Sequence, residues 1–402
     1  MRGLNRGTVV TLAGLGINLV FGMLYVWGVI SAALIDKLGW TATQTQIPFM
    51  LACASFAFIM GPGGRLQDKY GPRPMVMLSA LVAGAGFALS GVLLTVWGVT
   101  VFFGLLVGIG MGVGYSAPTP AAVKWFGPEK RGLISGIVVS GVGLGPIYIA
   151  PLTAMLITRF GLASTFYILG ATYFVFVFGL AQFISNPPTG FTPPSRGTFK
   201  RSVTAKQEYS LRDALKTPQY YILWLMFAFG TFAGLLIIGQ LSKIGLEQAG
   251  ITSPFVLVAI YSFFNFLGRI GWGIISDKLG RRSSLFLVFA LQFLVYLAFP
   301  YFVTPLPLIF GMSVVGFTFG GMLTLFPAIT GDFYGMKNFG LLYGVLITAW
   351  GFGGVIGPLV GGLVRDLSGT YILSYLVSAA VSLVGAVLTW FITEPKIPSE
   401  SN

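Results

Sequence analysis

The chain contains no histidine and a single cysteine, Cys53, in 402 residues. Without imidazole it lacks the side chain most used to shuttle protons near neutral pH and to ligate metals. One cysteine cannot form an intrachain disulfide. Charge is scarce too, at 9% of residues, with only eleven acids. A soluble domain carries roughly 25% charged residues, so an ordinary water-facing surface is excluded. All eleven acids fall in expected loops or at helix ends, which leaves no carboxylate at membrane depth to act as general acid or base. A membrane enzyme is disfavoured on that ground, and neither a metal site nor a cofactor is expected.

What is present is apolar: 55% of residues are hydrophobic and the mean hydropathy is +0.86. Twelve stretches of spanning length read near 8–34, 43–62, 74–97, 98–123, 132–157 and 163–186, then 218–242, 251–275, 283–303, 305–330, 338–363 and 371–393. They predict an all-α membrane protein embedded in a lipid bilayer. The first stretch follows Arg2 and Arg6 and is longer than a signal-peptide core, so it reads as a spanning helix. The net charge of +13 is distributed unevenly. With the N-terminus in the cytoplasm, only Lys37, Arg159, Lys243 and Arg365 fall on the opposite side. That is the positive-inside pattern, and it places both termini in the cytoplasm, with the plasma membrane as the expected location. The charge orients the chain and is no nucleic-acid patch.

The halves repeat. Gly64, Asp68, Gly71 and Arg73 recur 209 residues later as Gly273, Asp277, Gly280 and Arg282. Gly132, Gly136 and Gly145 recur 208 residues later as Gly340, Gly344 and Gly353. A near-constant offset implies a six-helix bundle over 1–186, a basic linker over 187–217 and a second bundle over 218–402. Parallel repeats of this kind place a binding site near the bilayer midplane, between two halves that rock about it. In the linker, Ser210 to Asp213 reads as a capping box that starts a short surface helix. Glycines at every fourth position, Gly104, Gly108 and Gly112 in the fourth span and Gly353, Gly357 and Gly361 in the eleventh, let helices approach closely. The glycines from Gly112 onward superficially fit a dinucleotide fingerprint, but they follow no strand.

One charge falls inside a span. Arg269 sits in FVLVAIYSFFNFLGRIGWGII, where a cation costs at least ~2.5–3.5 kcal/mol near the helix centre. Its side chain leans toward the helix N-terminus, over Asn265 one turn earlier and away from the nearer surface. Arg269 therefore reads as an anion-binding residue, with snorkelling as the bland alternative. Asn265 offers a donor and an acceptor beside it. Tyr115, Tyr25, Phe326 and Trp350 are further candidates for the cavity, with Tyr343 and Phe319; for each, packing against lipid or a neighbouring helix competes with a substrate contact.

The segments GGRLQDKYGPRP and GIISDKLGRR resemble the loop motif of the major facilitator superfamily. The resemblance implies a gate in which Asp68 and Asp277 are held by cations, with Arg73, Arg281 and Arg282 as the basic members. Gly141 to Pro146 is similar to the first part of that superfamily's antiporter motif, but the glycine pair that should follow is missing. More narrowly, LRDALKTPQYYILWLMF at 211–227, Asn186-Pro187-Pro188, Asn5-Arg6 and the position of Arg269 are similar to the monocarboxylate transporter group, including its oxalate/formate branch. Two departures matter. Asn265 stands where the animal carriers of that group have a proton-coupling Asp, and residues 20–33 hold no Lys. The second cation that the oxalate exchanger carries in its eleventh span is also missing between Lys337 and Arg365. The resemblance implies a secondary carrier, working as a monomer, for a small carboxylate anion such as lactate, pyruvate or acetate, moved with a proton. Anion exchange of the oxalate/formate kind is the alternative. From another class the rival is a channel or sensor, though sensors of this build usually carry long soluble extensions not seen in the sequence.

Overall fold

The computed structural model describes residues 5–126, 131–188, 190–191, 208–253, 255–335 and 338–395. The side chains of Asp68, residues 131–133 and residues 339–340 also lie outside that description, as does most of the linker. Among the described residues, eleven continuous helical stretches are long and apolar enough to span a bilayer. One of them, Arg131–Ala181, breaks at Gly161, whose φ of 80° is a left-handed value that glycine adopts without a Cβ clash. Divided there, the stretch supplies two spans and the total is twelve.

We number the spans in chain order. In the first half α1 is Arg6–Leu38, α2 Ala42–Tyr70, α3 Pro72–Val92, α4 Val96–Val123, α5 131–160 and α6 162–181. In the second half α7 is Pro218–Ile238, α8 Val256–Leu279, α9 Arg281–Ala298, α10 Pro305–Tyr334, α11 Leu341–Ser368 and α12 Ile372–Leu388. Local chemistry sets the ends. Thr41 and Gln44 close a full capping box at the start of α2, so two orphan N–H groups are satisfied there. Ser210 caps the surface helix Leu211–Ala214 by accepting from the Asp213 N–H. The Ser210 hydroxyl in turn holds the Asp213 carboxyl below its ordinary range, with help from Lys216.

Small residues decide which helices touch. Gly108 and Gly112 of α4 face α2, and their equivalents 208 residues on, Gly316 and Gly320 of α10, face α8. A β-carbon at Gly112 would stand 2.6 Å from the Phe56 carbonyl oxygen, and one at Gly320 would stand 3.0 Å from the Arg269 nitrogen. Backbones this close leave no room for a side chain. Gly145 of α5 packs on α1 as Gly353 and Gly357 of α11 pack on α7. The internal duplication is therefore visible in packing as well as in spacing.

The halves also meet each other, along α2 with α11 and α5 with α8. We call the end of the bundle that carries Asn5 and Pro395 the terminal end. At the opposite, far end the halves are latched by polar contacts. Asp36 of α1 pairs with Lys243, which belongs to the short helix Leu241–Ala249 after α7. Asp366 of α11 accepts from the backbone N–H groups of Ala42 and Thr43, at 2.9 and 2.8 Å, and so caps α2 across the interface. The Gln46 amide reaches the Gly239 carbonyl at 3.4 Å.

Removing the cross-half cap should loosen the far end. Asp366→Ala is expected to cost the latched state about 1 kcal/mol, the usual worth of a helix N-cap, or roughly fivefold in population. A cysteine introduced at Thr43 in a Cys53→Ala background should then react faster with an impermeant thiol reagent. Labelling at the unaltered rate would count against the latch.

Candidate functional site

The centre of the bundle holds a cavity of about 40 Å³ to which both halves contribute. Its walls are largely apolar, from Phe21, Phe56, Met111, Val142, Leu323 and Ile347. Tyr25, Tyr115 and Trp350 supply its polar edges, and Arg269 is the one charged side chain among the described residues that line it. One water needs ~10–15 Å³ of such space, so the volume suits a group of about three water-sized units.

The backbone brings these residues together by departing from regular helix. Residues Gly22–Val26 of α1 wind as a 3-10 turn, which packs Gly22 against Gly145 of α5 and turns Leu24 and Tyr25 toward the cavity. In α4, Thr100–Val107 is wound wider, as a π-helix, just before the turn that carries Met111 and Tyr115. Such irregular turns inside a helix recur at functional sites.

Arg269 is 8% exposed. Its Nε donates to Asn265 Oδ1 at 3.0 Å, and an Nη1 N–H donates to the Val139 carbonyl of α5 at 2.9 Å. The first bond lies within α8 and the second crosses between the halves. Behind it, Thr324 of α10 donates to the Arg269 carbonyl at 3.1 Å. No carboxylate pairs with Arg269 among the described residues. Of the five N–H donors of a guanidinium, the three not given to Asn265 and Val139 lie on the two terminal nitrogens, with the Tyr115 hydroxyl within hydrogen-bonding reach of the group. One from each can grip a carboxylate end-on in the planar fork that arginine offers. The side-on approach is blocked, because Asn265 already holds Nε.

The hydroxyls of Tyr25, Tyr115 and Tyr343 lie close enough to feel the Arg269 charge. Phe56 bridges Tyr115 and Trp350, with ring centroids 5.4 and 5.3 Å away. The Trp350 indole N–H is buried without a hydrogen-bond partner among the described residues, a donor left for a bound molecule. Asn265, at 2% exposure, stands behind the cavity and orients the guanidinium. Phe326, a candidate for the cavity, packs elsewhere in this structure. It is fully buried and stacks on Phe227 at 4.5 Å, between α10 and α7, outside the cavity wall. Phe319 likewise packs on Tyr261.

The duplicated loop residues sit at the terminal end and bond within their own halves. Arg73 donates to the Gln182 carbonyl at 2.5 Å, and Arg282 to the Trp390 carbonyl at 2.9 Å. Arg281 bridges Asp277 of α8 and Asp332 of α10, both at 2.8 Å, and also donates to Ser276. Asp332 and Ser276 were not anticipated. Both complete the motif from positions that its linear pattern does not include. The Asp68 side chain lies outside the described residues.

The chain matches the sequence profile of the Major Facilitator Superfamily over residues 10–325 and 238–402. The transporter YhjX of Escherichia coli (strain K12) is 30% identical, over 87% of this chain and 84% of its own. The oxalate:formate antiporter of Oxalobacter formigenes is 28% identical, over 96% and 91%. Monocarboxylate transporter 13 of Bos taurus is 23% identical, over 92% and 84%. A bacterial homologue of the human lysosomal transporter Spinster superposes with a TM-score of 0.71 at 17% identity, covering 97% of both chains. This chain is an integral membrane protein of the Major Facilitator Superfamily, in the branch that includes the monocarboxylate and oxalate/formate carriers.

Proposed function

We propose that this protein is a secondary carrier, not an enzyme, that moves small monocarboxylates together with a proton by alternating access. The observation that carries the reading is Arg269, a buried cation with no carboxylate partner that faces a cavity shared by both halves. Burying a charge without a counter-ion is costly. One bound carboxylate cancels it, and the neutral loaded cavity can then isomerise. A dianion would reverse the problem by leaving a net negative charge at low dielectric. The volume favours acids the size of formate or acetate, and lactate or pyruvate would need some widening of the aromatic wall. Names in the same branch, an oxalate:formate antiporter and a monocarboxylate transporter, agree with carboxylate as the substrate class.

In this reading Arg269 binds the carboxylate, Asn265 positions the guanidinium, and Tyr115, Tyr25 and the Trp350 N–H complete the shell. The bond to Val139 supplies the coupling. A substrate held at the terminal nitrogens shares the guanidinium with that carbonyl, so occupancy bears on a contact between the halves 1–186 and 218–402. In this reading the termini face the cytoplasm, as the basic loops favour, the membrane is the plasma membrane, and each copy works alone. Asp68 and Asp277, with Arg73, Arg281 and Arg282, act as the cytoplasmic gate. Arg281 is its pivot, because one guanidinium ties α8, α9 and α10 together.

Asp277→Asn should change the rate of exchange while leaving the ranking of competing acids intact; an altered ranking with unaltered rate would argue against a gate. At the site, Arg269→Ala and Arg269→Gln should abolish uptake in a folded protein. Arg269→Lys should recover little, since an ammonium cannot make the paired bonds. Asn265→Asp should set a carboxylate against Arg269 in competition with substrate. A lost charge-assisted hydrogen bond is worth ~1.5–3 kcal/mol, so uptake should fall roughly tenfold or more near neutrality. Protonating that acid frees the arginine, so the variant's uptake should recover as pH falls more steeply than that of the wild type. Parallel pH profiles would contradict the pairing.

Reconstituted vesicles test the whole reading. Labelled acetate or lactate should accumulate under an inward proton gradient with no counter-anion inside, and oxalate should be a poor substrate. Uptake only after preloading with another carboxylate would favour exchange, and a preference for oxalate would overturn the charge argument.

A further inference from the structure

A second cavity lies away from the central site, where α9 begins and α12 ends at the terminal end of the bundle. It is an open groove of about 520 Å³ lined by Arg282, Ser283, Phe286, Leu287, Thr389 and Trp390. Its apolar members are unusually bare for large side chains: Trp390 is 68% exposed and Phe286 39%. Neither α9 nor α12 lines the central cavity, so these rings face outward, toward lipid. The groove also sits at the right depth for an interface. Arg282 is the second residue of α9, after the Gly280 turn, and Trp390 belongs to the 3-10 turn that ends the last span. An indole at such a boundary keeps its ring in the acyl region and its N–H in the headgroup layer.

The charge in this groove is uncommitted. The neighbouring Arg281 is neutralised by Asp277 and Asp332. Arg282 forms no ion pair among the described residues; its one hydrogen bond, to the Trp390 carbonyl, uses one of five donors and fixes the guanidinium in the groove. The Ser283 hydroxyl beside it makes no hydrogen bond among the described residues, whereas that of Thr389 is already spent on Ala386. A cation with four N–H groups unbonded among the described residues and a free hydroxyl, above two exposed aromatic rings and a leucine side chain, matches a phosphate joined to an acyl chain.

We propose that this groove binds one phospholipid with a net anionic headgroup. The phosphate pairs with Arg282 and Ser283, and the first part of an acyl chain lies against Phe286, Leu287 and the Trp390 ring. Basic pockets between spanning helices bind anionic headgroups in this way. A bound lipid would fasten α9 to α12 on the outer face of the second half, remote from the substrate.

Trp390 is a built-in reporter. The purified full chain would be mixed with detergent micelles containing either phosphatidylglycerol or phosphatidylcholine with brominated chains, and tryptophan quenching followed as the lipid fraction rises. The wild type should be quenched at a several-fold lower fraction of the anionic lipid. Trp390→Phe should remove that extra component. Arg282→Gln should remove most of that several-fold preference, because losing one charge-assisted contact is enough to account for it. Arg282→Lys, which keeps the charge, should retain much of it, and both variants should melt with the wild type. Millimolar inorganic phosphate should not displace the lipid. Equal quenching by the two lipids, an anionic preference that survives Arg282→Gln or Trp390→Phe, or displacement by phosphate alone would overturn the proposal.

Discussion

Everything at the centre of this protein depends on how one guanidinium distributes its donors. Arg269 gives one N–H to Asn265 on its own helix and one to the Val139 carbonyl in the other half, and the rest point to no carboxylate among the described residues. Both partners are neutral. They hold the side chain in place without cancelling its charge, so the site is oriented yet electrostatically incomplete. An aspartate at 265 would complete the pair internally and oppose any anion until protonated. The asparagine preserves the hydrogen bond and leaves the charge for a ligand.

The same bond ties chemistry to architecture. A carbonyl of α5 is a weak competitor for a guanidinium, far weaker than a carboxylate. The contact between halves at the cavity is thus easily exchanged, whereas those at the far end are ionic or capping contacts. The latch is firm at one end and replaceable in the middle. Rocking about a central site needs such a gradient, because a core packed to crystal density does not deform continuously.

Much of this was legible in the sequence, and the losses have physical reasons. Spans follow from hydropathy, and the halves follow from glycines and aspartates repeated at one offset. Arg269 stands out because a charge inside a span is rare and costly. Applied to the fourth span, the same offset would also have matched Gly108 and Gly112 with Gly316 and Gly320. The packing of Phe326 was not legible because α10 has no marked polar face, and such a helix gives little sign of its rotation. Val139 could not be found at all, since it acts through a backbone carbonyl that every residue owns. Asp36, Lys243 and Asp366 read as ordinary loop charges until the fold brings the halves together.

Duplication explains the scaffold but not the chemistry. By the 209-residue offset that relates α2 to α8, Arg269 corresponds to Met60 and Asn265 to Phe56. Phe56 still faces the cavity, wedged between Tyr115 and Trp350. One copy of the unit therefore supplies the cation and its positioning amide, and the other supplies an apolar wall at the equivalent place. A second arginine at position 60 would have brought two like charges into one small volume and a preference for dianions. With methionine there the arginine is unmatched, and on the proposed reading that asymmetry between otherwise matched halves sets the valence of the ion the cavity can accept.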